Sequence, residues 1–260
     1  MSLVTLTSDF GYQDHYTAAV KAMLLRYCPG VTIVDISHGI EPFNIVQGVH
    51  ILQAAYSFFP PDTVHVFAVQ GNQVIDKHIA FQWNEHYFVG SDNGFAGLLA
   101  GADIGQCVEI QVASSQKTTF LAQTLYASVA AKLAQGTPLQ GISRFAITPQ
   151  KLIARQPRAT EKQIIGHVIN VDHYGNLVTN ITKEIFTQQC RTRKFEIRFA
   201  RESIYNLHTH YTQVEPGDCV CVFNSMSLLE IAINQGNAST LLGLQYDSPV
   251  CVFFHAYLDT

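Results

Sequence analysis

The architecture can be worked out from one stretch near the start of the chain, Val4-Thr5-Leu6-Thr7-Ser8-Asp9-Phe10-Gly11-Tyr12-Gln13-Asp14. Its apolar, β-branched beginning predicts a buried strand. The strand is expected to end at Ser8-Asp9-Phe10-Gly11, a turn cluster in which the glycine supplies backbone freedom. A helical pattern follows from about Tyr16. The carboxylates of Asp9 and Asp14 therefore lie between a first strand and a first helix, at the edge where open α/β sheets bind ligands.

Two interpretations of these carboxylates stay open at this point. The vicinal hydroxyls of a polyol such as a ribose donate hydrogen bonds that Asp9 and Asp14 could accept. Alternatively, Asp9 closes a turn and Asp14 caps the following helix.

Composition narrows the class of protein. The chain has 260 residues, of which 47% are hydrophobic and 14% charged, and this predicts one large or two unequal globular domains. The net charge is −4 and no Lys/Arg cluster occurs, so no nucleic-acid partner is expected. No apolar run approaches the roughly 20 residues of a membrane helix, and no signal-peptide layout is present.

The six cysteines do not form a metal or redox motif. They are scattered, without a paired zinc pattern or a C-x-x-C sequence. We therefore expect no metal site and a reduced, cytoplasmic protein.

Helical and strand patterns alternate through the first half of the chain. The expected elements are a helix from about Tyr16 to Arg26, a strand Thr32–Ile36, a helix Asn44–Phe58 and a strand Val64–Val69. This β-α-β-α-β order predicts a mainly parallel sheet with flanking helices. Further along, the expected elements are strands His78–Trp83 and Tyr87–Gly90, a short helix ending at Leu99 and a helix Phe120–Ala134.

The pattern changes after residue 150. Residues 1–150 are assigned to the α/β domain and the polar stretch 151–162 to a linker. Residues 163–260 are expected to form a small β-barrel domain, with strands at Ile164–Val171, Phe195–Phe199, Cys219–Phe223 and Val250–Phe254.

Two polar clusters interrupt the apolar pattern of the second domain. The first is Asp172-His173-Tyr174-Gly175-Asn176, and the second comprises Asn224-Ser225, Glu230 and Asn234-Gln235-Gly236-Asn237. Buried polar groups need protein partners or a ligand. The alternative is an ordinary hairpin turn in the first cluster and a helix cap at Asn237.

The clusters occur in the order of one known family. They are the opening stretch, Glu41-Pro42-Phe43-Asn44, Ser91-Asp92-Asn93-Gly94, Asp172 to Asn180, and Asn224-Ser225 through Gly236-Asn237. Over essentially its whole length the chain resembles the S-adenosyl-L-methionine (SAM) hydrolases, also called SAM hydroxide adenosyltransferases, which are related to the fluorinases and chlorinases. The resemblance implies a Rossmann-like nucleoside-binding domain, a C-terminal β-barrel and a homotrimer whose ligand site lies between neighbouring subunits.

The resemblance also implies a reaction and the residues that bind its substrate. Water or a halide attacks the ribose C5′ of SAM, and with water the products are adenosine and L-methionine. The leaving group is already cationic, so no metal or other cofactor is implied. By position, the expected contacts are Asp9 with the ribose hydroxyls, Asp14 nearby, Phe43 with the nucleoside, Asp172 with the methionine ammonium, Ser225 with its carboxylate, Tyr174 with the adenine face, Asn176 with the adenine edge and Asn234 close by.

The chain departs from the family at the positions that orient and polarise the water. The Asp after the third strand of the hydrolases is Gln70 here, and the His is Leu121. The Arg position falls near Lys77, with Asp76 and His78 as alignment alternatives. Leucine has no polar atom and glutamine has no charge with which to accept a proton.

These departures leave two functions open. One is an enzyme that hydrolyses SAM slowly or carries out a related displacement with another nucleophile. The other is a protein of the same fold that binds SAM or adenosine without turning it over. Ala122 lacks the hydroxyl expected of a halogenating relative, so halogenation is not favoured.

Overall fold

The computed structural model describes residues 2–71, 77–101, 103–112 and 118–255. Its contacts divide the chain into two compact units, Met1–Ala154 and Arg155–Thr260. The division falls inside the stretch 151–162 that the sequence assigns to a linker. Part of that stretch, Arg158–Ala159, pairs with a strand of the second unit.

In the described part of the first unit, one mixed sheet has the order β2-β1-β3-β5-β4-β6. Its strands are β1 (Leu3–Ser8), β2 (Thr32–Ser37), β3 (Val64–Ala68), β4 (His78–Trp83), β5 (His86–Ser91) and β6 (Cys107–Ile110). Strands β2, β1, β3 and β5 run parallel, whereas β4 is antiparallel to both of its neighbours. The mainly parallel sheet predicted from the sequence is confirmed, and β6 is an addition to it.

Helices flank this sheet. They are α1 (Tyr16–Tyr27), α2 (Ile45–Ala55) followed by the 3₁₀ turn Tyr56–Phe58, α3 (Phe95–Ala100), α4 (Ala127–Ala134) and α5 (Leu139–Ile142). The predicted helix Phe120–Ala134 begins as a π-helical turn, Ala122–Tyr126, before it becomes α4. Side chains of β3 alternate between two cores, because Val66 packs with α1 and α4 while Phe67 packs with α2 and α3.

The second unit is an antiparallel sheet that nearly closes on itself. Its strands are β7 (Arg158–Ala159), β8 (Gln163–Val171), β9 (Leu177–Thr182), β10 (Phe195–Phe199), β11 (Glu202–Ile204), β12 (Cys219–Phe223), β13 (Leu228–Ile233) and β14 (Pro249–Phe254). The order is β11-β10-β14-β8-β9-β13-β12, and β7 pairs with β8. His208, just after β11, donates its amide to Cys221 of β12 at 2.9 Å. The predicted β-barrel is confirmed.

Helical segments of this unit are short. They are α6 (Lys183–Cys190), the 3₁₀ turn Tyr211–Gln213 and α7 (Ala238–Leu242). None of the helices in the described ranges combines the length and the apolar character of a membrane span.

Candidate functional site

Asp9 follows β1 directly, and its carboxylate holds two other loops in place. Oδ2 accepts the amide of Phe43 at 2.9 Å and the amide of Gln70 at 3.1 Å. Phe43 and Gln70 both have left-handed backbones, with φ of 69° and 52°. Two N–H groups that converge on one carboxylate oxygen stabilise these unusual conformations, since hydrogen bonds to charged groups are the stronger kind. Asp9 is therefore a tie between three loops at one edge of the sheet.

His38 forms hydrogen bonds on both sides of Asp9 and so holds the loop that carries it. The carbonyl of His38 accepts the amide of Gly11 at 2.8 Å, and its Nδ1 lies 2.6 Å from the hydroxyl of Ser8. Burial lowers the pKa of His38, which opposes the charged form of the ring. A neutral imidazole can accept a hydrogen bond from the Ser8 hydroxyl and so hold the start of the loop.

An open cleft of about 440 Å³ lies beside Asp9. This volume is within the usual range of small-molecule sites, roughly 300–1,000 Å³. The lining residues are Asp9, Phe10, Tyr16, Pro42, Phe43, Gln70, Gly71, Thr119 and Phe120. The cleft thus brings together Asp9, Phe43 and Gln70, which the sequence singles out.

Three aromatic lining residues were not predicted as part of a site. Phe10 lies 5.4 Å from Phe120, and Tyr16 lies 5.1 Å from Phe120, measured between ring centroids. They belong to different elements, so no local pattern marks them as neighbours. An aromatic wall beside a carboxylate suits a ligand with an apolar face and hydroxyl groups.

The motif Ser91-Asp92-Asn93-Gly94 contacts the segment that leads to the lining residue Gln70. The side-chain amide of Asn93 donates to the carbonyl of Val69 at 2.9 Å, immediately before Gln70. Its Oδ1 accepts the amide of Phe95 at 3.2 Å, which joins the loop to the start of α3. Asn93 therefore positions the Gln70 backbone and has a supporting role that the sequence did not assign.

Three other residues of interest in this unit do not line the cleft. Asp14 is exposed and does not cap α1, whose N-cap is His15 without a side-chain hydrogen bond. Lys77 Nζ lies 3.7 Å from Glu109 Oε2, and Leu121 packs against the apolar core that contains α1 and α4.

The two alignment alternatives to Lys77 differ in what can be said of them. Asp76 lies outside the described residues. His78 is buried, and its Nδ1 lies 2.8 Å from the hydroxyl of Tyr126.

The second unit has an open cleft of its own, with a volume of about 470 Å³. Its lining residues are Tyr174, Asn176, Tyr211, Ile233, Gln235, Gly236 and Asn237. The ring of Tyr174 is 76% exposed and available for stacking. Asn176 is buried and presents an amide, the group that can pair with the edge of a nucleobase.

Asp172 shapes one side of this cleft through a tight turn. Its Oδ1 accepts the amide of Asn176 at 2.8 Å and its Oδ2 accepts the side-chain amide of Asn176 at 3.0 Å. Gly175 has φ of 86°, and a Cβ there would lie 2.2 Å from Asn237 Cγ. The hairpin alternative therefore describes the backbone correctly, and Asn237 also caps α7 by accepting the amide of Thr240 at 2.8 Å.

Ser225 and Asn234 do not line this cleft in the same way. Ser225 is exposed in the turn between β12 and β13. The cleft residue Asn176 lies beside a later part of β13, because the next residue, Leu177, pairs with Ile231. Asn234 is buried and donates its side-chain amide to the carbonyl of Val214 at 2.7 Å. Asn234 thereby secures the segment that precedes β12.

Tyr211 is a polar lining residue that sequence reasoning missed. Its hydroxyl donates to Glu230 Oε1 at 2.7 Å. Burial and the adjacent Glu230 carboxylate raise the pKa of Tyr211 above its usual value. Tyr211 is in a loop of weak pattern, so only its contact with the polar cluster at Glu230 reveals it.

Comparisons with known proteins identify the class to which this fold belongs. Residues 4–143 match the SAM hydroxide adenosyltransferase N-terminal domain, and residues 166–251 match the C-terminal domain of the same family. The chain therefore belongs to the SAM hydroxide adenosyltransferase family, as the sequence predicted.

Individual relatives support this assignment. The chain is 30% identical over 258 residues to the (R)-S-adenosyl-L-methionine hydrolase of Methanocaldococcus jannaschii, covering 95% of this chain and 94% of the relative. It is 24% identical over 272 residues to the fluorinase of an Actinoplanes species, covering 89% of this chain and 91% of the relative. The solved structure of an uncharacterized conserved protein from Thermotoga maritima has a TM-score of 0.87 and 28% identity, covering 96% of this chain and 99% of that one.

Proposed function

We propose that this protein is a SAM hydrolase-like adenosyltransferase that converts SAM and water to adenosine and L-methionine. The observation that carries the proposal is the cleft in which the Asp9 carboxylate, the exposed Phe43 ring and the Gln70 loop meet. Family membership and the hydrolase relatives support the same substrate.

The reaction is a single displacement at the ribose C5′. A water oxygen forms the new C5′–O bond while the C5′–S bond breaks. The electron pair of the broken C5′–S bond goes to sulfur. The sulfonium becomes the neutral thioether of methionine, and the attacking water loses a proton to solvent or a base. Since the leaving group is already cationic, the protein contributes mainly by positioning and by stripping solvent from the nucleophile. We propose that no cofactor is needed.

The two clefts supply complementary contacts in this proposal. Asp9 accepts hydrogen bonds from the ribose hydroxyls and Phe43 packs on the nucleoside. In the second unit, Tyr174 stacks on adenine and Asn176 binds its edge. Asp172 faces the methionine ammonium.

Two further assignments belong to the same proposal. Ser225 binds the methionine carboxylate, and Asn234 supports the wall of the second cleft. Each cleft is open and holds only part of these residues. We therefore propose a homotrimer in which the site forms between subunits, and light scattering at micromolar concentration tests it. A monomer that still binds ligand would contradict the shared site.

A second candidate function is the binding of SAM or adenosine without turnover. It is favoured by the altered positions, because Lys77 lies 3.7 Å from Glu109 and Leu121 packs against the apolar core. Neither arrangement offers the first cleft a group that accepts a proton from water.

Chromatography of a SAM incubation separates the two candidates. Adenosine and methionine released in equal amounts support the hydrolase. SAM recovered intact, with a calorimetric signal for its binding, supports the binding protein. If neither SAM nor adenosine binds, both candidates are wrong.

A further inference from the structure

A buried carboxylate connects the second cleft to the turn that carries Ser225. Glu230 is 4% exposed, although glutamate is rarely buried without a partner. Its Oε1 accepts the hydroxyl of Tyr211 at 2.7 Å, and its Oε2 accepts the side-chain amide of Asn224 at 3.1 Å. Both partners are neutral donors, so each oxygen depends on a specific side chain for its hydrogen bond.

At one end of this connection, Tyr211 lines the same cleft as Tyr174 and Asn176. The Tyr211 hydroxyl is engaged by Glu230. Burial and the Glu230 carboxylate raise the pKa of Tyr211, which keeps the hydroxyl a donor. The position of the Tyr211 ring therefore depends on where Glu230 is held.

At the other end, the orientation of Asn224 is determined by its own turn. Its Oδ1 accepts the amides of Met226 at 3.0 Å and of Leu228 at 3.1 Å. The amide nitrogen of Asn224 must therefore face Glu230, and a flipped side chain would lose both backbone bonds. Ser225 lies inside this turn, so its position is tied to the same contact.

We propose that Glu230 is a positioning residue that couples the Tyr211 wall of the cleft to the Ser225 turn, so that the two ends of a ligand are bound cooperatively. The nature of the two ends, a nucleoside at Tyr211 and an amino-acid group at Ser225, rests on the proposed function. Glu230 itself touches neither end. Its effect on binding passes through Tyr211 and Asn224.

A polarity exchange tests this coupling. Asn224→Asp keeps the oxygen that the turn requires but places a second carboxylate oxygen against Glu230. Glu230→Gln alone should be tolerated, because its carbonyl can accept from Asn224 and the phenol oxygen of Tyr211 can accept from the new amide. In the double variant Asn224→Asp/Glu230→Gln, the new amide donates to the new carboxylate and the carbonyl accepts from Tyr211, so both contacts are restored.

The readout is adenosine affinity measured by calorimetry. We expect Asn224→Asp to weaken adenosine binding about 5-fold or more, in line with coupling energies between linked residues, although Asn224 does not line the cleft. The double variant should return the affinity to within about 2-fold of the original. An adenosine affinity unchanged by Asn224→Asp, or not restored in the double variant, would overturn the proposal.

Controls separate this result from loss of folding and from failure of the proposed function. Tyr205→Phe removes a hydroxyl that lies 3.4 Å from Glu196, a similar pair in the same unit, and should leave adenosine affinity unchanged. If Asn224→Asp does not fold, Asn224→Ser replaces the amide donor to Glu230 with a shorter hydroxyl, without adding charge, and should still weaken binding. A wild-type protein that binds neither adenosine nor SAM would instead refute the proposed function.

Discussion

The two clefts have similar volumes, about 440 and 470 Å³, but they are assembled differently. The Asp9 cleft depends on hydrogen bonds between loops, which reach 34 residues along the chain to Phe43 and 61 residues to Gln70. The second cleft depends on turns, since Asp172 binds Asn176 only 4 residues away. The Asp9 carboxylate therefore links segments that are distant in sequence, whereas the Asp172 carboxylate stabilises its own turn. A substitution of Asp9 should therefore affect several loops, whereas a substitution of Asp172 should affect mainly its own turn.

The largest effect is expected from placing a water-activating pair at positions 70 and 121, since Gln70 lines the first cleft and Leu121 follows the lining residue Phe120. Groups of this kind contribute about 10²–10⁴-fold, so Gln70→Asp with Leu121→His should raise adenosine release by a factor in that range. Position 70 has a left-handed backbone, with φ of 52°, which aspartate tolerates. Release of adenosine from SAM is measured by chromatography.

The single variants are the controls for this experiment. Each should change turnover little, because catalytic groups that act as a unit are not additive. Leu121→His also introduces a polar ring beside an apolar core, so thermal unfolding is measured in parallel. Rapid turnover by the unmodified protein would show that other residues activate the water, with Lys77 and His78 the first to examine.

The next largest effect tests Asp9 as a tie between loops. Asp9→Ala leaves the amides of Phe43 and Gln70 without their acceptor, and should lower the free energy of unfolding by about 2–4 kcal/mol. The turn-cap interpretation predicts this destabilisation with little change in ligand affinity. We expect both stability and adenosine affinity to fall, as measured by urea unfolding and calorimetry. Asp103→Ala, at an exposed position of the same unit, should change neither.

Acid should act on the sheet that carries the first cleft. His65 lies 2.7 Å from Thr5 and 3.2 Å from His86, and burial followed by the charge of His86 lowers its pKa from 6.5 to about 3. The unfolded chain then binds the proton more readily, so the stabilisation is present above pH 6.5 and is lost as pH falls toward 3. The loss should approach about 1.4 kcal/mol for each pH unit.

Urea unfolding between pH 7 and pH 4 measures this dependence. His65→Phe should make the curve shallower because one titrating group is gone, while His255→Gln, at an exposed position, should leave it unchanged. An equally steep curve in His65→Phe would assign the acid sensitivity to other groups.

The smallest effect is expected at Asp172, where the contacts are local. Asp172→Ala removes two hydrogen bonds within one turn but keeps the backbone bond from the Asp172 amide to the Asn176 carbonyl, so it should lower the free energy of unfolding by only about 1–2 kcal/mol. Asp172→Asn retains an oxygen for the Asn176 amide and should have a smaller effect. A loss as large as that of Asp9→Ala would remove the distinction between tertiary ties and local turns.

Local pattern was enough for several parts of the molecule. Strands Phe195–Phe199 and Cys219–Phe223 have the predicted bounds, because a short apolar run is complete within a few residues. The family could be predicted because its motifs occur along this chain in the order that is typical of the family. The strands β9 and β13 were missed since Thr179, Asn180 and Glu230 interrupt their apolar pattern.

What residue order could not supply is the set of partners for each polar group. The sequence located Asp9 at the end of a strand and Asp172 in a polar cluster. Only the folded chain shows that Asp9 binds the backbone of two distant loops, or that Tyr211 shares Glu230 with Asn224. Hydrogen-bond partners that are far apart in sequence meet only when packing brings their loops together. A local periodicity therefore cannot predict which groups will pair.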